Sequence, residues 1–147
     1  VGGFVSLAVF DGSGEKIGID LLDPQTGERR RLASTAEDLG GPRVGVYSMD
    51  DDTLRWGTGL ALAALARGLD LVIVDEIGPL ELLQGRGFAA LLPALRQAAG
   101  VRCLVVVRPE LVDELAGRLN QDQIARRLVT MDNRDALPGE LARQFWG

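Results

Sequence analysis

The stretch Leu71-Val72-Ile73-Val74 runs directly into Asp75-Glu76, and this junction constrains the chain more than any other part of it. Four consecutive apolar residues, three of them β-branched, suit a strand buried on both faces, as in a parallel sheet covered by helices. Val101 to Val107 is a second run of the same kind. Between such runs the pattern becomes helical. From Thr53, the residues Leu54, Leu60, Ala61, Ala64 and Leu65 fall along one side of a helix that stops at Gly68. Asp50-Asp51-Asp52, just before it, reads more readily as a cap in a favourable helix dipole than as a metal site. A second helix is expected around Phe88 to Ala99, started or kinked by Pro93. A third opens at Pro109, a last strand covers Leu128 to Met131, and a terminal helix carries Leu137, Leu141 and Phe145. Alternation of strands and helices implies an α/β architecture with a mostly parallel sheet.

The first third reads differently. Phe4 to Phe10 and Ile17 to Leu22 flank the turn Asp11-Gly12-Ser13-Gly14, which predicts an antiparallel β-hairpin. A further turn, Asp23 to Gly27, leads to a short strand from Glu28 to Ala33. Arg29-Arg30-Arg31 is expected on the solvated side of this strand rather than on nucleic acid.

Composition narrows the chemistry. The chain has 147 residues, enough to bury roughly 70% of its unfolded surface in one core. A single domain spanning 1–147 is the expectation. There is no His, which removes His-based zinc sites and His-dependent nucleophile systems. Cys103 is the only cysteine, so no internal disulfide is possible; a reducing cytoplasm suits it, as does a small core role. No apolar run approaches the length of a membrane span, and no membrane partner is expected. Sixteen basic against 21 acidic residues give a net charge of −5, which argues against a nucleic-acid partner. The chain opens on Val1 without a Met, as a trimmed segment would.

Open parallel sheets bind ligands beyond the C-terminal ends of their strands, so the residues after Val74, Val107 and Met131 matter most. Two adjacent carboxylates at a buried strand end cost free energy unless something offsets their charge. Hydrated Mg²⁺ on nucleotide phosphates would do so, since Mg²⁺ commonly takes only one or two protein carboxylates. Neighbouring strand residues point to opposite sides, which gives the two acids different tasks. Asp75 would hold the metal's water shell, and Glu76 would reach the attacking water as a general base. The alternative is a strand end that simply meets solvent. Arg108 either contacts phosphate or is a surface residue before Pro109. Asn133, Arg134 and Asp135 either contact base and ribose or form a turn and helix cap.

The string Asp75-Glu76-Ile77-Gly78-Pro79-Leu80-Glu81-Leu82 resembles the second nucleotide motif of the small P-loop nucleoside-triphosphatases of archaea and bacteria, which have a RecA-like core. The likeness covers almost the whole chain. Gly2-Gly3-Phe4, Ile17-Gly18-Ile19-Asp20, Thr26-Gly27-Glu28 and Val44-Gly45-Val46-Tyr47 fall in matching order. Val129 to Pro138 is similar to that family's terminal Thr-x-x-Asn-Arg-Asp-x-Leu-Pro. The resemblance implies a Mg²⁺-dependent hydrolase converting a nucleoside triphosphate to diphosphate and phosphate.

Some of the family's features are not in this sequence. The phosphate-binding G-x-x-x-x-G-K-[ST] would precede Gly2, and the only lysine, Lys16, is followed by Ile17 on the hairpin. A strand–loop–helix unit of roughly 30 residues is therefore expected outside these residues, which should hydrolyse nucleotides poorly without it. Where the family alternates Thr, Glu and Arg on its first strand, Ser6, Ala8 and Phe10 stand here, and a polar face becomes mostly apolar. Val46 replaces a basic residue before Tyr47, and Val107-Arg108 keeps only the Arg of a His-Arg pair. A second reading follows from these departures: a non-catalytic binding or regulatory domain, meeting a protein partner or another copy of itself through Ala8 and Phe10. A phosphotransferase is a third, without an acceptor site in the sequence to favour it.

Overall fold

A computed structural model describes residues 1–147. Its centre is β1, Gly2–Phe10, which plays two parts along its length. The first residues pair in parallel with β6, Leu71–Ile77, in the register Gly2↔Val72, Gly3↔Ile73 and Phe4↔Val74. From Val5 onward the strand pairs antiparallel with β2, Lys16–Leu22, to form the expected hairpin. The sheet continues outward through β3 (Arg29–Ser34), β5 (Tyr47–Met49) and the two-residue β4 (Arg43–Val44), all antiparallel. On the other side β6 pairs in parallel with β7, Arg102–Val107. The order is β4-β5-β3-β2-β1-β6-β7.

The sheet is therefore mixed, not mostly parallel. Only the β1–β6 and β6–β7 pairings are parallel. The difference arises because the hairpin is not an appendage: β1 is shared between both halves, so every strand before residue 50 joins the same sheet.

One face of the sheet is well covered. Phe4, Val72 and Val74 are fully buried there, packed beneath α1 (Asp51–Ala66) and α3 (Leu91–Gln97). Phe4 stacks on Phe88 with ring centroids 4.4 Å apart. Alpha-helix α1 approaches β1 closely because Gly57, Ala61 and Ala64 line its inner side. A Cβ at Gly57 would lie 2.8 Å from Leu21 Cδ1. Its N-terminus is capped as expected: the Asp50 carboxylate accepts the Thr53 N–H at 2.7 Å, and Asp51 and Asp52 occupy the first turn. The opposite face, carrying Val5, Leu7 and Ile73, is only half-buried, so Leu71–Val74 is not sealed on both sides as expected.

Two other elements depart from expectation. Helix α2, Pro79–Gln84, follows β6 directly, and the helix expected from Phe88 begins only at Leu91, with Pro93 in its first turn where no N–H partner is required. Leu128 to Met131 is not a strand. Leu128, Val129 and Met131 are exposed and lie in an irregular segment that ends in a turn. Apolar character alone suggested a strand there, but no neighbouring strand offers its backbone. A short 3₁₀ turn at Pro109–Leu111 leads into α4 (Val112–Arg118), and α5 (Leu137–Trp146) ends the chain. The arginine run is solvated: Arg29 and Arg31 both pair with Asp20, and Arg30 lies over the Trp56 ring. Cys103 is partly buried within β7.

Candidate active site

The register of β6 and β7 shifts at its end: Asp75 faces Val106, Ile77 faces Val107, and Glu76 is the extra residue between them. The bulge separates the two carboxylates. Ile77 is completely buried and anchors the segment from below. Gly3 sets the spacing to β1. With φ of +88°, it lies so close to β6 that a Cβ would stand 1.9 Å from the Ile73 carbonyl oxygen. This close approach brings Ser6 level with Asp75. The Ser6 N–H donates to Asp75 Oδ2 at 3.1 Å, and the Ser6 hydroxyl donates to the Asp75 carbonyl.

Burial pushes the Asp75 carboxyl above its usual range, and the Ser6 N–H only partly opposes this. Burial also raises Glu76. There Arg108 and Lys16 pull downward, while Asp75 and Glu110 push upward. Arg108 Nε lies 3.8 Å from Glu76 Oε1, with both side chains about half exposed. The structure thus brings Asp75, Glu76 and Arg108 together at the ends of β6 and β7. It does not bring Asn133, Arg134 or Asp135 to them. Asn133 closes a turn, accepting the Thr130 N–H and donating to the Leu128 carbonyl, each at 2.8 Å. Arg134 pairs with its neighbour Asp135.

Glu81 is a buried residue beside the site to which sequence reasoning gave no role. It is only 4% exposed, and its carboxylate accepts the Gly78 N–H at 2.9 Å and the Phe88 N–H at 3.0 Å. One side chain therefore fixes both the exit from β6 and the approach to α3. Burial raises its carboxyl, and the backbone donors oppose that. Glycine followed by Pro79 and then Glu81 at the third helical position was a legible signal for such a cap.

Beside these residues opens a cleft of about 280 Å³ between the β2–β5 extension and the segment from Asp75 to Glu81. Ser6 and Ala8 form part of its wall, and Lys16, at the start of β2, stands on it. As a metal site the residues are sparse. No group of three His, Cys, Asp or Glu side chains converges anywhere in the molecule. Asp75 keeps Oδ1 free of protein hydrogen bonds, Glu76 is the adjacent carboxylate, and Glu81, also on the cleft, is taken up by the Gly78 and Phe88 N–H groups. That donor set fits a cation held mainly by phosphate oxygens and water, the usual Mg²⁺ arrangement, rather than a protein-caged ion.

The chain and its fold have counterparts in known proteins. Residues 1–142 match the family model described as NTPase. The chain belongs to the NTPase family. Among curated relatives, nucleoside-triphosphatase THEP1 of Thermofilum pendens is 35% identical over 146 residues, covering 99% of this chain and 79% of that protein. Nucleoside-triphosphatase THEP1 of Methanopyrus kandleri is also 35% identical, over 93% of this chain and 74% of its own length. The crystal structure of THEP1 from the hyperthermophile Aquifex aeolicus superposes with a TM-score of 0.71 at 18% identity, covering 99% of this chain and 83% of that one. This NTPase chain accordingly has the α/β P-loop NTPase fold, with a mixed sheet and flanking helices. No helix of this NTPase is long and apolar enough to cross a membrane.

Proposed function

We propose that these residues form the hydrolytic half of a Mg²⁺-dependent nucleoside-triphosphatase, which converts a nucleoside triphosphate and water to diphosphate and phosphate. The observation that carries this reading is the half-buried Asp75–Glu76 pair at the end of β6, with Arg108 3.8 Å from Glu76. Bound Mg²⁺ would neutralise charge on the phosphate oxygens. Asp75 is positioned to hold the cation's water shell, its orientation fixed by the Ser6 N–H. Glu76 accepts the proton of the attacking water. The water oxygen bonds to the γ-phosphorus while the bond from that phosphorus to the β,γ-bridging oxygen breaks, and the diphosphate leaves. Arg108 opposes the upward push of burial on Glu76, favouring its ionised form, and offers positive charge to the phosphates.

The sequence holds no G-x-x-x-x-G-K-[ST] string, so efficient turnover is assigned to a polypeptide carrying such a loop together with these residues, and slow turnover to residues 1–147 alone. Phosphate release from Mg-ATP and Mg-GTP by the loop-bearing protein tests this. Glu76→Gln should lower kcat at least about 100-fold, the contribution typical of a general base. Undiminished turnover would remove Glu76 from the mechanism.

A second reading rests on Ala8 and on Phe10, which is 59% exposed at the end of β1. An apolar strand end of this kind suits a non-catalytic regulatory domain that meets a protein partner or a second copy. A loop-bearing protein without hydrolytic activity, yet self-associating through Phe10, would favour it. Sedimentation of the parent chain and Phe10→Ser decides that point.

A further inference from the structure

One charge on the cleft beside Glu76 has no ion-pair or hydrogen-bond partner. The other charged groups lining it are engaged within the protein. Asp75 accepts the Ser6 N–H, Glu76 and Arg108 face one another, and Glu81 takes the Gly78 and Phe88 N–H groups. Lys16 has neither a carboxylate nor a hydrogen-bond acceptor. Its ammonium lies over the Tyr47 ring, 5.5 Å from the centroid. The wall around it is largely apolar, built from Ala8, Ile19, Leu32, Val44 and Met49. At about 280 Å³ the cleft lies just below the range used by drug-sized ligands, a size that suits a compact one.

We propose that this cleft binds a small organic anion, with a compact apolar body about one ring in size and an acidic group that pairs with Lys16. The apolar wall removes the ring from water. Tyr47 adds an aromatic surface, and its contact with Lys16 holds the ammonium at the rim. The acid end pairs with Lys16, because the Asp75 and Glu76 carboxylates on the same cleft repel it. Lys16 acts on Glu76 through its charge alone, and the apolar wall has no part in the proposed hydrolysis, so loss of that activity would leave this proposal standing.

Titration of the ¹⁵N-labelled 147-residue chain tests the proposal, with benzoate, phenyl phosphate and benzyl alcohol as probes. Amide shifts should localise to Ala8, Lys16, Tyr47 and Gly78, with an anion binding more tightly than the alcohol. Binding by phenyl phosphate but not benzoate would still support the site and fix its headgroup as phosphate; the reverse would fix it as carboxylate. Lys16→Gln should weaken the anions about threefold to fivefold, as for an exposed ion pair, and bring them level with benzyl alcohol. Ala8→Trp, at an exposed position, should block all three probes. If that variant fails to fold, the Lys16→Gln comparison decides alone. No shift at these amides at millimolar concentration, or an unchanged preference for anions in Lys16→Gln, would overturn the proposal.

Discussion

Phe88 donates its backbone N–H to Glu81 Oε1 over 3.0 Å, while Gly78 donates to Oε2 of the same carboxylate over 2.9 Å. Two segments ten residues apart are thus held by one buried side chain. Glu81→Ala leaves both donors unsatisfied and should cost about 2–5 kcal/mol, read from urea unfolding. Glu81→Gln keeps one good acceptor and should cost less than half as much.

Asp75 gives a pH dependence of defined sign. Burial raises its carboxyl, so the folded chain holds this proton more tightly than the unfolded chain does. The resulting stabilisation is complete below the unfolded Asp range, about pH 4, and is lost as pH rises through the folded value. Asp75→Asn cannot ionise and retains an oxygen for the Ser6 N–H. Relative to the parent, it should gain stability between pH 4 and pH 7, as urea midpoints at the two values would show.

Arg108 holds the Glu76 carboxyl down against the upward push of burial. Arg108→Met removes that opposition and raises Glu76 further. In the loop-bearing protein, the acid limb of the hydrolysis profile should move to higher pH, because Glu76 accepts a proton only when ionised. A pH–rate profile with an unmoved acid limb would separate Arg108 from Glu76.

Gly3 combines a φ of +88° with near-contact to the Ile73 carbonyl. Gly3→Ala forces both a disfavoured backbone and a clash with a strand that cannot yield, at about 2–5 kcal/mol. Gly12→Ala is the control. It lies in the open hairpin turn with nothing near its Cβ position and should stay within about 0.5 kcal/mol of the parent.

The cap of α1 is worth a separate measurement. Asp50→Ala removes the acceptor of the Thr53 N–H and should cost about 1 kcal/mol in thermal or urea unfolding.

Much of this was legible before any coordinates, for reasons that differ from element to element. The hairpin was readable because its turn residues are local, and the Asp75–Glu76 position because polar residues rarely interrupt so apolar a run. The mixed character of the sheet was not readable. It depends on which strand β1 chooses on each side, and pairing with a strand some 70 residues away leaves no local mark. The segment Leu128 to Met131 failed for a related reason, since apolarity expresses a preference for burial but not the presence of a neighbour. Arg108 could be placed at a strand end, yet its approach to Glu76 follows from the β6–β7 register. The cleft, with Ser6 and Lys16 on it, gathers residues from seven separated stretches and has no sequence signature.

The contact between Ser6 and Asp75 closes a separation of 69 positions. On a ribosome adding about 5–20 residues per second, Ser6 emerges roughly 3–14 s before Asp75, and the end of its hairpin partner β2 roughly 3–11 s before it. The antiparallel half of the sheet can assemble during that interval, but the Ser6 N–H has no carboxylate to meet. A nascent chain therefore acquires its scaffold early and its acidic pair late, and synthesis itself times the appearance of the site.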